Sequence, residues 1–140
     1  MRRIVIDTNV IVSALRSSRG ASNLLMRQVG SGQFEVAVSV PLVLEYEAST
    51  RRLVGFSGYT AQEIDAFIDY ICQVAVQTRI YFLWRPFLPD ASDDMVLETA
   101  VAAGCETIVT FNASDFIGID RFGLRICTPA QFLHEIGELK

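Results

Sequence analysis

The sequence predicts a three-layer α/β/α fold, in which helices cover both faces of a central parallel sheet of four to five short strands. Two observations predict it. Short apolar segments rich in Val and Ile recur along the chain, as in strands that are buried on both faces. Helix-like segments separate them, and this alternation favours right-handed β-α-β crossovers. At 140 residues the chain is long enough for one such domain, which we expect to cover residues 1–140.

The predicted strands are short and are separated by segments long enough for helices. The first, Arg3–Asp7, ends in an acid, and the second, Glu35–Ser39, leads directly into a helix. Two further strands, Thr107–Phe111 and Leu124–Cys127, lie near the end of the chain. Their apolar composition is typical of parallel sheets that helices cover on both sides.

Helices are predicted between and after these strands, and local signals mark several of their ends. Thr60 and Glu63 form a T-x-x-E capping box before the longest helix, whose apolar residues share one face. Gly104 terminates the next helix, and Thr128-Pro129 supplies a cap residue and a proline at the start of the last. The predicted helices are Ser22–Val29, Val40–Arg52, Ala61–Gln77, Asp93–Ala103 and the one that begins at Thr128, and Arg52–Tyr59 is predicted to be a surface loop.

Composition restricts the class of protein. Apolar residues make up 51% of the chain, and no apolar stretch reaches the ~18 residues of a membrane helix. The N-terminal apolar run contains Asp7 and has no small-residue cleavage site, so we expect no signal peptide and no membrane association. The three cysteines, Cys72, Cys105 and Cys127, lack C-x-x-C spacing. They are typical of buried thiols in a reducing compartment, and we expect a cytoplasmic protein.

The basic residues exclude several classes of enzyme. The net charge is −4, which by itself gives no sign of nucleic-acid binding. The only lysine is Lys140, whereas a P-loop, a D-x-D-x-T phosphatase and a receiver domain each need a lysine within the chain. The only histidine, His134, is far in sequence from every strand end, which argues against a Ser-His-Asp or Cys-His enzyme. The other basic residues are all Arg, which suits phosphate contacts, although a composition bias would give the same pattern.

Acidic residues from four parts of the chain lie just past a strand end or near a helix start. In an open parallel sheet, chemistry takes place beyond the carboxyl ends of the strands. We therefore expect these side chains to converge at one edge of the sheet. The candidates are Asp7, Glu45, the group Asp90, Asp93 and Asp94, and the pair Asn112 and Asp115.

Most of these acids also have a structural explanation. Asp93 and Asp94 are favourable at a helix N-terminus, Asp90 could be the N-cap, and Asp115 could cap a turn. Asp7 is harder to explain, because a lone carboxylate in a buried strand costs several kcal/mol unless it is paired, hydrogen-bonded or bound to a metal. Converging carboxylates repel one another, and a hard divalent cation such as Mg²⁺ relieves the repulsion.

Four segments of the sequence resemble the PIN domain, the fold of VapC-type toxin nucleases and of several RNA-processing endonucleases. They are VIDTNVIVSAL, SVPLVLEYE, DASDDMVLETAVAAG and IVTFNASDF, in the family's order and over nearly the whole chain. The resemblance implies a metal-dependent endoribonuclease that uses Mg²⁺ or Mn²⁺ to activate water. It also implies an RNA substrate, a homodimer and a small antitoxin partner.

The resemblance also assigns residues. The family's acids fall on Asp7, Glu45, Asp93 and Asp115, which would bind metal, and Glu45 could instead orient the attacking water. Many members have Asp where this chain has Asn112, so the fourth acid here is expected to be Asp115. A hydroxyl of Thr8 or Thr110 could assist, although a turn or strand role is the simpler explanation. The secondary ligand candidates are Asn9, Asp90, Asp94 and Asn112.

Two alternatives remain after the resemblance is considered. One belongs to another class of protein: a PIN fold without catalytic activity that serves as a binding or scaffold module. The presence of acids in all four segments argues against it. The other is a nuclease that acts on DNA structures, but such enzymes carry large insertions that a chain of 140 residues does not accommodate.

Overall fold

The computed structural model describes residues 1–81, 83 and 87–139, and it has the three-layer α/β/α architecture that the sequence predicts. In this described part of the chain, five strands form one sheet in which every pair is parallel. The strands are β1 (Arg2–Ile6), β2 (Phe34–Val38), β3 (Val76–Gln77), β4 (Thr107–Val109) and β5 (Arg125–Cys127). Their order is β3-β2-β1-β4-β5, so β1 lies at the centre with β4 beside it.

Helices enclose this sheet. Helix α5 packs across β1, β2 and β4, whereas α1 contacts α2 and α3, and α2 also contacts α6. Within the described ranges, no helix is both long and apolar enough to cross a membrane. The helices are α1 (Thr8–Arg16), α2 (Ala21–Gln28), α3 (Val40–Arg51), α4 (Ala61–Val74), α5 (Ala91–Ala102) and α6 (Pro129–Glu135), together with the 3₁₀ turns Ala113–Phe116 and Ile119–Phe122.

The predicted capping signals are confirmed. At the start of α4, the Thr60 hydroxyl accepts a hydrogen bond from the Glu63 amide at 3.1 Å, and the Glu63 carboxylate accepts one from the Thr60 amide at 3.0 Å. Thr128 caps α6 in the same way. Helix α5 begins two residues before the predicted start because Asp90 is its N-cap and accepts a hydrogen bond from the Ser92 amide at 2.9 Å.

The end of the longest helix was predicted wrongly, and strand β3 was missed. The helix was predicted to continue to Gln77, but α4 ends at Val74, and Ala75 has an extended backbone. Val76 and Gln77 instead pair with β2, extending the sheet by one edge strand. A two-residue strand is too short to show an alternating pattern, and its apolar residue continues the helical spacing of α4, so the sequence carries no separate signal for it.

Helix α1 was also missed, and its start places Asp7 outside the strand in which it was predicted. β1 ends at Ile6, and Asp7 is the N-cap of α1, with its side chain accepting a hydrogen bond from the Thr8 amide. The β-branched residues at the start of α1 favour strands in isolation, which hides the helix. β4 likewise ends at Val109, two residues before the predicted end, so Thr110 lies just beyond the sheet.

A buried tyrosine joins α3 to the end of β1. Tyr46 is fully buried, and its hydroxyl donates a hydrogen bond to the carbonyl of Ile6, the last residue of β1. The Tyr46 carbonyl accepts in turn from the hydroxyl of Thr50, which is also fully buried. Tyr46 therefore fixes the strand end from which Asp7 projects.

We predict that Tyr46→Phe lowers the free energy of unfolding by about 1–3 kcal/mol, because the ring still fills its space but the Ile6 carbonyl loses a buried donor. Each kcal/mol lost from the free energy of unfolding should lower the melting temperature by roughly 2–8 °C. Thermal denaturation followed by circular dichroism measures the loss. Tyr81→Phe is the matched control, since Tyr81 is 78% exposed and its substitution should leave the melting temperature unchanged. Equal melting temperatures for Tyr46→Phe and the parent protein would contradict the prediction.

Candidate functional site

The register of the sheet brings Asp7 and Thr110 together at its carboxyl edge. Ile6 of β1 is paired with Val109 of β4, so the residues that follow them are neighbours. The Asp7 amide donates to the Val109 carbonyl at 2.9 Å, and the Thr110 amide donates to the Cys127 carbonyl of β5 at 3.0 Å. Both residues are thus held by backbone hydrogen bonds that continue the sheet beyond its last paired residues.

Asp7 is a buried carboxylate with two hydrogen-bond donors. It is 7% exposed. Its Oδ1 accepts from the Thr8 amide at 2.8 Å, and its Oδ2 accepts from the Thr110 hydroxyl at 2.7 Å. Burial nevertheless raises the pKa of Asp7 above its ordinary value, against the lowering effect of these two donors, and the charges of Asp115 and Glu45 raise it further. The two donors hold the carboxylate in place without fully compensating its desolvation.

Thr110 is the centre of the polar contacts around Asp7. Its hydroxyl is fully buried, donates to Asp7, and accepts from the side-chain amide of Asn9 at 3.3 Å and from the backbone amide of Asn112 at 3.1 Å. One hydroxyl thereby links the first turn of α1 to the loop after β4. From the sequence, a turn or strand role was the simpler explanation for Thr110, and its place near the end of a buried strand was the available signal.

Asp93 shows the strongest electrostatic perturbation among the acids at this edge. It lies in the first turn of α5, and its pKa is raised to about 7, first by burial and then by the charges of Asp7, Asp90, Asp115 and Asp94. A carboxyl with this pKa is partly protonated at neutral pH. Asp115 also raises the pKa of Asp7, together with Glu45, so Asp7, Asp93 and Asp115 share one electrostatic environment.

Glu45 and Asp115 reach this environment from two further elements. Glu45 is partly buried on α3, and its Oε1 accepts from the Ser49 hydroxyl at 3.4 Å. Asp115 lies in the 3₁₀ turn Ala113–Phe116, where its amide donates to the Asn112 carbonyl at 3.0 Å. The next residue, Phe116, is buried in the main core and anchors this turn.

Two of the secondary candidates have clear structural roles. Asp94 is 1% exposed, and its Oδ1 accepts from the Leu88 amide at 3.0 Å, so this carboxylate fixes the chain before α5. Asp90 is the exposed N-cap of α5, and its hydrogen bonds with Ser92 lower its pKa. Asp94 is therefore occupied within the fold, while Asp93, its neighbour, shares the environment of Asp7.

The two asparagine candidates lie beside Thr110. Asn9 donates to the Thr110 hydroxyl, and its Oδ1 lies 3.5 Å from the Phe111 amide, which leaves the carbonyl oxygen only weakly engaged. Asn112 is exposed, and its side chain does not cap the following 3₁₀ turn. The Asn9 side chain and the Asn112 backbone thus both contact the hydroxyl that holds Asp7, and a ligand role for either asparagine stays a prediction.

The donor set suits a hard cation but is not a closed ligand cage. The side chains that share this electrostatic environment are carboxylates, with the Asn9 amide beside Thr110, and carboxylate and amide oxygens are the ligands that Mg²⁺ and Mn²⁺ prefer. Within the described residues, no three His, Cys, Asp or Glu side chains lie close enough together to form a complete metal site. Electrostatic coupling extends farther than a coordination bond, so the acids share a region in which waters would complete the coordination of an ion.

The cysteine thiols and His134 are not part of the group of acids around Asp7. Cys105 and Cys127 are buried free thiols, as predicted, and Cys72 is partly buried. Burial raises the pKa of Cys105 to about 12 and that of Cys127 to about 11, so both stay protonated at neutral pH. His134 is exposed on α6. These residues do not contribute to the group of acids at the carboxyl edge of the sheet. We call this group the acidic edge; its residues are Asp7, Glu45, Asp93 and Asp115.

Comparisons with known proteins agree with the fold. Residues 3–114 match the model of the PIN domain family, whereas the comparison with curated proteins gives no significant match. A chain of VapBC2 from Rickettsia felis, solved bound to a DNA fragment from their promoter, superposes with a TM-score of 0.58 and 12% identity, covering 90% of this chain and 98% of that chain. A chain of VapBC-1 from nontypeable Haemophilus influenzae superposes with a TM-score of 0.60 and 13% identity, covering 91% and 98%.

We predict that the protein in EDTA becomes less stable as pH rises from 5.5 to 8, in part because of Asp93. Its folded pKa of about 7 lies above the ordinary value of 3.8 for an aspartate, so folding favours the protonated form. The stabilisation that this gives is complete only below the unfolded pKa and is lost as pH rises through 7. Melting temperatures at several pH values measure the slope, which should be smaller in Asp93→Asn.

The matched control for this prediction is Asp65→Asn. Asp65 is an exposed carboxylate on α4, and its charge is not among those that raise the pKa of Asp93, so this substitution should leave the slope unchanged. An unchanged slope in Asp93→Asn, or an equal reduction in both variants, would show that Asp93 is not the titrating group.

Proposed function

Because the match over residues 3–114 shows that the chain belongs to the PIN domain family, we propose that it is a metal-dependent endoribonuclease, the toxin of a toxin–antitoxin pair. The observation that carries the proposal is the shared electrostatic environment of Asp7, Asp93 and Asp115, with Glu45 beside it, at the carboxyl edge of the sheet. Four elements contribute one acid each, and the raised pKa of Asp93 is a destabilising feature that a bound cation would relieve.

The residues present fit a divalent cation. Asp7, Asp93 and Asp115 would hold Mg²⁺ or Mn²⁺, and Glu45 would bind it or orient the attacking water, with Asn9 and Asn112 in contact through water. A bound ion would supply a Lewis acid for a phosphodiester oxygen and lower the pKa of a water molecule. The capping role of Asp90 and the buried contact of Asp94 make these two carboxylates weaker candidates.

The protein's own groups prepare this site in two ways. The Thr110 hydroxyl and the Thr8 amide fix both oxygens of Asp7, so the carboxylate is oriented before any ligand arrives. Each oxygen accepts one hydrogen bond from these donors, and a carboxylate oxygen has a second lone pair for a further ligand. Asp93 must lose its proton before it binds a cation, so activity should rise with pH around neutrality.

The proposed partners follow from the family and the structural neighbours. Both neighbours described above are VapBC complexes, which supports a small antitoxin protein as a partner of this chain. We further propose RNA as the substrate, a homodimeric assembly and a cytoplasmic location. The alternative function is a catalytically inactive PIN fold that acts as a scaffold. It would not explain why the protein keeps acids that raise one another's pKa at this edge.

We predict that the protein cleaves RNA in Mg²⁺ or Mn²⁺, that EDTA abolishes cleavage, and that Asp7→Asn reduces the rate at least tenfold. Asn caps helices as well as Asp does and keeps an oxygen for the Thr8 amide, so the variant should fold. Gel analysis of a labelled RNA measures the rate, and circular dichroism checks the fold.

Asp65→Asn is the matched control, because Asp65 is an exposed carboxylate on α4. It should cleave at the parent rate. An Asp7→Asn protein that retains more than a tenth of the parent rate would remove Asp7 from the catalytic set. An absence of cleavage in the parent protein, with the fold intact, would favour the scaffold function.

A further inference from the structure

A groove leads away from the acidic edge between α1 and α3. Its volume is about 540 Å³. At one end it is bounded by Thr8 and Asn9, which follow Asp7 directly, and Ser49 on its α3 side donates to Glu45. The groove therefore adjoins Asp7 and Glu45, two acids of the proposed catalytic site. Its lining residues are Thr8, Asn9, Val12, Ser13, Arg16, Ser49, Arg52 and Leu53.

The far end of the groove continues into a second hollow that carries an exposed aromatic ring. This hollow has a volume of about 270 Å³ and shares Arg16 and Leu53 with the groove, while Phe56 and Ser57 complete its lining. Phe56 is 88% exposed, although its backbone is fixed by a hydrogen bond of 2.9 Å to the Leu53 carbonyl. Leu53 is itself buried in a small apolar cluster, so a turn that is anchored at Leu53 exposes the Phe56 ring to solvent.

We propose that this continuous surface, the α1–α3 groove with Phe56 at its end, binds single-stranded RNA next to the proposed cleavage site. Arg16 and Arg52 would contact backbone phosphates, and the Phe56 ring would stack on an unpaired base. The inference rests on the proposed function, since it takes RNA as the substrate. It adds the path of the strand and the reason for a preference for unpaired RNA.

The charges in the groove favour a phosphate ligand. Arg16 and Arg52 are exposed, and in the described part of the chain neither guanidinium forms an ion pair with a carboxylate. Arginine presents a planar set of donors that matches phosphate geometry. Both residues also lie at helix C-termini, where a positive charge contributes only ~0.3–1 kcal/mol to stability. A role at the helix ends therefore does not explain why both arginines line a groove next to an exposed aromatic ring.

The length of the groove suits several nucleotides. Arg16 lies nine positions after Asp7, and nine steps along α1 at a rise of 1.5 Å each span roughly 13.5 Å. Bases of single-stranded RNA are available to stack on aromatic side chains, whereas bases in a duplex are already stacked. An acidic peptide could pair with the arginines, but continuity with the acidic edge favours the substrate over a protein partner.

The test measures binding without cleavage. A 5′-fluorescein-labelled single-stranded RNA of mixed sequence is titrated with the full chain in EDTA at several salt concentrations, and fluorescence anisotropy gives Kd. Each lost phosphate contact should reduce the slope of log K against log salt by ~0.7. Arg16→Gln and Arg52→Gln together should therefore weaken binding and reduce the slope by about 1.4.

Substitution of the aromatic ring gives a different signature. Phe56→Ala should weaken binding roughly tenfold with an unchanged salt slope, because stacking does not displace counterions. Phe56→Trp should restore binding, and a duplex probe should not distinguish Phe56→Ala from the parent. Arg27→Gln is the matched control, since Arg27 is exposed at the end of α2 and does not line the groove.

Three outcomes would overturn the inference: parent-like affinity and slope in the double arginine variant, an equal loss in Arg27→Gln, or a change of oligomeric state in Phe56→Ala with RNA affinity unchanged. The last would assign the ring to a protein interface. Failure of the proposed function is distinguishable, because it appears as an absence of cleavage with Mg²⁺ while the binding differences in EDTA persist.

Discussion

The burial of one carboxylate at the end of the central strand is the constraint on which the rest of this structure depends. Asp7 is desolvated, and its pKa is raised in spite of two well-formed hydrogen bonds. Three further acids add to the same unfavourable potential. A fold that keeps such a residue must hold it firmly, and several elements are arranged to do so.

Each supporting contact reaches Asp7 from a different part of the chain. Helix α1, which Asp7 caps, supplies the Thr8 amide. The residue after β4 supplies the Thr110 hydroxyl, and α3 fixes Ile6, the residue before Asp7, through Tyr46. These parts are distant in sequence and meet only because the sheet places β1 at its centre with β4 beside it. The central position and the burial of Asp7 are thus consequences of one strand order.

The sequence was sufficient to predict the architecture and to select the acids as candidates, but it did not predict the contacts that hold them. Four strands, the capping box at Thr60 and the cap residue Thr128 followed from local patterns, because apolar periodicity and cap residues act over short distances. β3 and α1 were missed: the former depends on pairing with β2, and the latter has β-branched residues that favour strands in isolation. The Asp94 carboxylate accepts a hydrogen bond from the Leu88 amide. This contact depends on the path of the chain before α5, and the sequence does not specify that path.

The central claim is that these acids form a cation site, and the melting temperature tests it without any substrate. An ion that binds only the folded protein stabilises it by about 2.7 kcal/mol at a hundredfold excess over Kd. Millimolar Mg²⁺ should therefore raise the melting temperature by several degrees at pH 8, and Asp7→Asn should raise it in EDTA while reducing the effect of the metal. A melting temperature that does not respond to Mg²⁺ or Mn²⁺, together with destabilisation of Asp7→Asn in EDTA, would show that Asp7 is a structural residue and would contradict the account.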